Sequence, residues 1–458
     1  MTSREDRIFK AVDSNLDRFL DELFEFLRIP SVSARSEHRE HMMKAAQWLK
    51  ERLESLELDV QIYPTQGHPV VYGSCCPYPD RPTILIYGHY DVQPEDPVEL
   101  WQTPPFEPSV RDGMIYARGA TDDKGQLFTW VKALEILKAV HGVIPVNVKI
   151  IVEGEEEIGS PNLYDFLVTN KEKFSADLIA ISDGSKYSHD TPAITYGLRG
   201  LSYLEIEVVG PRMDLHSGVY GGIVANPINA LVKILSALID DNGRVTVPGF
   251  YDDVLPLEPW EREEMKRLAL NEDEIKEYLG VDLLTGEKEF SALERKTARP
   301  TLDINGIWGG YQGEGAKTVI PSKAGAKLSM RLVPNQSHRK IDKLVTDFIM
   351  NNAPPGVKIS VTPLHGTDPV IIPRQVKEIE LARDALRKGF GKEPVFIREG
   401  GSIPVVSTFA TVLNVKPILL LGWGNPDDGA HGPNEHFAVE DFRRGIKAAA
   451  ILLDSLAK

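Results

Sequence analysis

Apolar positions along the chain recur at two spacings, one helical and one strand-like. Residues 5–28 and 40–57 carry the helical period, the second with Met43, Ala46, Leu49 and Leu53 along one side. Short apolar runs follow at 83–87, 147–152 and 177–181. Between the first two, Leu127, Trp130, Val131, Leu134 and Leu137 repeat at helical spacing. Apolar runs bounded by loops and alternating with helices predict an α/β domain, a mainly parallel sheet covered by helices on both faces.

Near residue 200 the pattern changes. Residues 201–208 (LSYLEIEV) alternate like a half-buried strand, and 228–239 read as a helix. Acidic, helix-forming sequence fills 258–294. Strands are expected at 301–307, 327–332 and 357–361, with a helix at 341–351. That mixture predicts a smaller α+β domain. From about residue 375 the first pattern resumes, with helices at 377–388 and 441–456 and strands at 395–397 and 418–421.

Composition narrows the partners. The 458 residues carry 52 Lys+Arg against 67 Asp+Glu, a net charge of −15. Nucleic acid and anionic membrane surfaces both demand basic patches, so neither is expected as a partner. The cysteines, Cys75 and Cys76, are adjacent. They cannot form a disulfide framework and suit a reducing compartment. The charged start MTSREDRIFK lacks the apolar core of a signal peptide, and no stretch approaches the roughly 20 apolar residues that span a bilayer. The expected location is the cytoplasm.

Candidate chemistry gathers where apolar runs end. His89 and Asp91, in GHYD, share one side of a strand as it runs out; an imidazole suits a metal, and a carboxylate can accept its other N–H. Asp122 and Asp123 precede the Leu127 helix, where such a pair serves either as helix-capping residues or as ligands. Glu153, Glu155, Glu156 and Glu157 follow the 147–152 run, and Asp183 follows 177–181. His431 lies in a Gly/Pro/Asn loop before the last helix. Each signal alone passes for a turn or a solvated face. An ordered His, Asp, Glu, Asp, His series at strand ends is a donor set for zinc or manganese.

The ordered motifs GHYDVQP, ARGATDDKG, EGEEEIGS, ISDG, DLHSGVYGG, MRLVPN and GAHGPNE resemble the dinuclear metallopeptidases of the carnosinase, aminoacylase and glutamate-carboxypeptidase family. The resemblance spans almost the whole chain and is closest to the cytosolic nonspecific dipeptidase branch. It implies two divalent ions per subunit, zinc first, with manganese or cobalt as alternatives. His89 and Asp183 would ligate one ion, Glu157 and His431 the other, and Asp122 would bridge them. Glu156 would be the general base and Asp91 the orienting partner of His89, leaving Asp123 and Glu155 as structural neighbours. His216, Thr318, Arg331 and Ser402 would bind substrate, with His216 reaching across a dimer to the oxyanion and Arg331 clamping a free carboxylate.

Because His431 must rejoin a site begun by His89, the middle of the chain reads as an insertion. The expected division is a catalytic domain of residues 1–199 and 373–458 interrupted by a lid and dimerisation domain, 200–372. The expected function is hydrolysis of dipeptides or short peptides with a free C-terminal carboxylate. An N-acyl-amino-acid amidohydrolase of the same fold is the nearest alternative, and a non-catalytic metal-binding dimer a remote one.

Overall fold

In the computed structural model, residues 3–268, 270–401 and 403–458 are described. The chain divides into two units, one of Met1–Tyr196, Ile372–Ile397 and Pro404–Lys458, the other of Gly197–Ile371 and Arg398–Ile403. The short stretch 398–403, expected with the last third of the chain, groups instead with the middle. There, Arg398 pairs with Glu261, both buried, and the carbonyl of Gly400 accepts a 2.7 Å hydrogen bond from Arg199 Nε. A buried charge needs such a partner, and pairing by charge does not follow chain order.

The first unit is built on a mixed sheet with a parallel core. The strand Thr83–His89 lies between Asn147–Glu153 and Leu178–Ser182, parallel to both, and Ile418–Leu421 continues the parallel set. All four are buried almost throughout and mostly apolar, as strands covered on both faces must be. Antiparallel strands flank this core: Asp59–Tyr63 and Val70–Cys75 on one side, Ala193–Leu198 on the other. These flanking strands fall outside the elements expected from the pattern, which is too short and too mixed there to show a period.

The helix Lys124–His141 packs on the 83–89 strand with Arg4–Leu27 and Val439–Leu456 beside it. Its first turns are buried all round, including Lys124 and Lys132, because neighbours surround it. Lys132 pairs with Glu22 at 2.5 Å and Lys124 donates to the carbonyls of Phe26 and Ile29.

The second unit carries a four-stranded antiparallel sheet, in the order Thr301–Gly309, Lys323–Leu332, Gly200–Val209, Lys358–Thr367. In the 200–209 strand Leu204, Ile206 and Val208 face a core shared with the helices Pro227–Ser236 and His338–Asn351, while Tyr203, Glu205 and Glu207 are less buried. The acidic segment forms three short helices, Pro259–Arg267, Glu272–Leu279 and Ala292–Ala298. Both cysteines are free, and no helix among the described residues is long and apolar enough to cross a membrane.

Candidate metal centre

The carboxyl ends of parallel strands deliver the site. His89 closes its strand opposite Glu153, Glu156 and Glu157 form the short turn after the 147–153 strand, and Asp183 follows 178–182. Asp122 arrives from the loop before the 124–141 helix, and His431 from the loop before the last helix with φ of 65°, in the left-handed region. A non-glycine residue held there is strained, and such strain concentrates at functional sites.

Two groups of donors result, His89–Asp122–Asp183 and Asp122–Glu157–His431, each with its ligand atoms within 4.8 Å of one another. Asp122 belongs to both. Its Oδ1 stands 3.2 Å from His89 Nε2, and its Oδ2 stands 2.9 Å from His431 Nε2. Asp183 Oδ2 is 3.7 Å from His89 Nε2, and Glu157 Oε2 is 3.3 Å from His431 Nε2. His89 Nε2 is buried yet has no hydrogen-bond partner among the described residues. An orphaned imidazole nitrogen facing carboxylates fits a metal ligand, since buried polar atoms otherwise find partners.

The neighbours settle how these side chains are held. His89 Nδ1 is 3.0 Å from the main-chain carbonyl of Asp91 and 3.4 Å from its Oδ1, so the carbonyl is the nearer acceptor. The Asp91 carboxylate instead accepts from the backbone N–H groups of Glu156 (3.2 Å) and Glu157 (3.0 Å). Asp123 occupies the helix N-cap without capping; its Oδ2 accepts from the backbone N–H of His89 at 3.3 Å. That approach requires Gly88, where a Cβ would lie 2.8 Å from Asp123 Oδ2 and 2.7 Å from Leu127 Cδ1. Glu155 is turned away, accepting from His68 N and Asn162 Nδ2. Gln93 was missed by the sequence reading: its Nε2 donates to Glu157 Oε2 at 2.8 Å. It stands within the same GHYDVQP run as His89, the one local signal that could have found it.

A model of peptidase family M20/M25/M40 matches residues 85–455. The chain belongs to that peptidase family. This M20 enzyme is 36% identical to a Cys-Gly metallodipeptidase of Schizosaccharomyces pombe, over 99% of this chain and 98% of the relative. It is 34% identical to the Beta-Ala-His dipeptidase of Homo sapiens, over 99% and 93%. Among solved structures, the M20 family metallo-carboxypeptidase Sso-CP2 from Sulfolobus solfataricus superposes with a TM-score of 0.85 at 35% identity, covering 96% of this chain and 99% of that one. The M20 enzyme is accordingly a metal-dependent peptidase, with two candidate ligand groups that share Asp122.

Electrostatics within the enzyme's cluster follow from burying five carboxylates, Asp91, Asp122, Glu156, Glu157 and Asp183, beside two imidazoles. Burial opposes a charged His89, yet Asp122, Asp183 and Asp91 hold it well above the ordinary histidine range. Asp122 and then Glu157 lift His431 to about 10. Burial alone favours a neutral Asp122, but His431 and then His89 beside it keep it below the usual carboxylate range. Burial pushes Glu156 up to about 9, with the negative charges of Asp183, Glu157 and Asp122 adding to it and His89 opposing.

Of the residues expected to bind substrate, His216, Thr318 and Arg331 lie in the second unit. His216 pairs with Val319 across a two-stranded ribbon and is exposed; its Nδ1 accepts from Gly218 N at 2.9 Å, which leaves the neutral ring's proton on Nε2. Thr318 is exposed beside it, its carbonyl accepting from Ser217 N. Arg331 sits in the 323–332 strand opposite Thr301 and Leu201. Burial and the positive charge of Arg331 together lower Arg199 to about 10, which puts two guanidiniums in one neighbourhood. Ser402 lies outside the described residues.

Proposed function

We propose that this M20 enzyme is a two-metal dipeptidase that hydrolyses the amide of small peptides bearing a free C-terminal carboxylate. The observation that carries this reading is Asp122, whose two oxygens face two separate histidine–carboxylate groups. His89, Asp122 and Asp183 would hold one divalent ion and Asp122, Glu157 and His431 the other, zinc being favoured by the N/O donor set over manganese or cobalt. The two cations would supply the Lewis acidity that polarises the scissile carbonyl and acidifies water, and their charge would draw Glu156 into its ionised form.

Glu156 belongs to neither ligand group and is the carboxylate left to move protons. It takes one from the attacking water and returns it to the leaving amine. Asp91 positions it by fixing the backbone of the 156–157 turn. The Nε2–H of His216 is a donor suited to the tetrahedral oxyanion, contributed from a second subunit through the lid. Arg331, with a second guanidinium nearby in Arg199, suits bidentate capture of the substrate carboxylate. The names of the S. pombe and human relatives support dipeptides as substrates.

A hydrolysis panel on zinc-loaded protein, pairing free-amine dipeptides with N-acetyl forms of the same C-terminal amino acids, tests the substrate class. Faster, chelator-sensitive cleavage of the dipeptides is expected. Preference for the acylated set would make the protein an amidohydrolase, and no cleavage of either would sink both. Glu156→Gln should lower turnover by about 10²-fold or more with two equivalents of zinc retained; unchanged turnover would remove Glu156 as the base.

A further inference from the structure

Outside both ligand groups, Glu435 is wholly buried, and each of its carboxylate oxygens takes two hydrogen bonds. Oε2 accepts from Arg118 Nη1 at 2.8 Å and from the backbone N–H of Gly119 at 2.9 Å. Oε1 accepts from the backbone N–H groups of Thr121 (3.0 Å) and Asp122 (3.1 Å). Arg118 is as buried as its partner, and its second arm, Nη2, donates to the carbonyls of His431 (3.2 Å) and Pro94 (3.0 Å). One ion pair therefore grips the main chain at Asp122 from one end and at His431 from the other.

We infer that Glu435 and Arg118 form a positioning clamp that sets the backbone of Asp122 and His431 at the spacing a cation between them requires. The inference rests on the two-metal reading above. Neither residue offers an atom to either donor group, so the pair acts through the ligands it holds. Loop residues need such support, because a loop's own backbone leaves them free to drift by more than a ligand shell tolerates. The four donors converging on Glu435 also make it intolerant of an amide. In either flip, Glu435→Gln turns two donors toward two other donors. Arg118→Lys is the gentler probe: one ammonium keeps the charge pair but cannot span both Glu435 and the His431 carbonyl as a planar fork does.

Equilibrium dialysis of the intact protein against Zn²⁺ and a competing chelator, with circular dichroism as the check on folding, tests the clamp. Wild type should bind two equivalents. Arg118→Lys should keep one at wild-type affinity and weaken the other, the Asp122–Glu157–His431 equivalent, by about 10- to 100-fold. Glu435→Gln should weaken both groups through Asp122, which they share. Glu22→Gln, which removes the ion pairs of Glu22 with Lys132 and Arg18 away from the ligands, should lower stability and leave both equivalents within twofold of wild type. A folded Arg118→Lys protein that binds both equivalents as tightly as wild type overturns the clamp alone. Wild type that holds no zinc overturns the two-metal reading and the clamp with it. Should Glu435→Gln fail to fold, the Arg118→Lys result still decides.

Discussion

The imidazole Nε2 of His431 stands 2.9 Å from Oδ2 of Asp122, and with only the protein's own charges present that pair holds a proton. Asp122, then Glu157, raise the ring to about 10, so it is charged throughout the neutral range. A ligating nitrogen must be unprotonated, so cation uptake at pH 7 has to expel that proton. Calorimetric titration with Zn²⁺ in two buffers of different ionisation enthalpy should show at least one proton released per chain. Apparent affinity should rise about tenfold per pH unit for each proton displaced, up to about pH 10. A heat independent of buffer would show that His431 is neutral before the metal arrives.

Asp91 is buried and holds the N–H groups of Glu156 and Glu157. Its replacement by Ala leaves both donors without their acceptor, at about 1–3 kcal/mol each in a dry site. The 156–157 turn should shift, lowering kcat by about 10- to 100-fold. Metal analysis on the same sample distinguishes this from ligand loss. Activity falling only in proportion to lost zinc would assign Asp91 to His89 and not to the turn.

Glu153 accepts from Tyr87 Oη (2.7 Å) and Ser160 Oγ (2.9 Å), and burial raises its carboxyl to about 7. Its folded pKa lies above its unfolded value, so its contribution to stability is complete below about pH 4.5 and lost as pH rises through 7. The effect is on the order of 3 kcal/mol. Urea unfolding of chelator-treated protein and its Glu153→Gln variant at pH 4.5–8 should show the difference between them changing across that window. A constant difference would mean Glu153 is ionised in the fold at every pH tested.

Gly88→Ala would push a Cβ to 2.7 Å from Leu127 and 2.8 Å from Asp123. The 124–141 helix would have to move off the strand at the point where Asp122 is placed. Overpacking of this kind costs about 1–3 kcal/mol, so Tm should fall by several degrees and zinc affinity with it. A variant with wild-type Tm and affinity would show the helix approach to be loose.

Much of the fold was legible because burial imposes a period. LSYLEIEV alternates since one face of its sheet meets a core, and 83–87 is apolar throughout since its strand is covered on both faces. The 59–63, 70–75 and 193–198 strands were not legible, because flanking strands depend on a neighbour more than on their own pattern. The stretch 398–403 left its expected domain for the same kind of reason, with Arg398 answering to Glu261 and not to its chain neighbours.

At the site, residue types and order marked a wider pool of side chains chemically able to ligate, Asp91, Asp123, Glu153, Glu155 and Glu156 among them, and the family resemblance singled out His89, Asp122, Glu157, Asp183 and His431. Tertiary structure decided how they divide. It turned the two oxygens of Asp122 toward different histidines and gave the Asp91 carboxylate to the backbone of Glu156 and Glu157. It also buried Glu435 under four donors drawn from residues more than 300 positions away. Ligand chemistry is a property of the side chain and is written in the sequence. Which atom faces which neighbour depends on distances of a few ångströms between loops far apart in the chain, and only packing sets those.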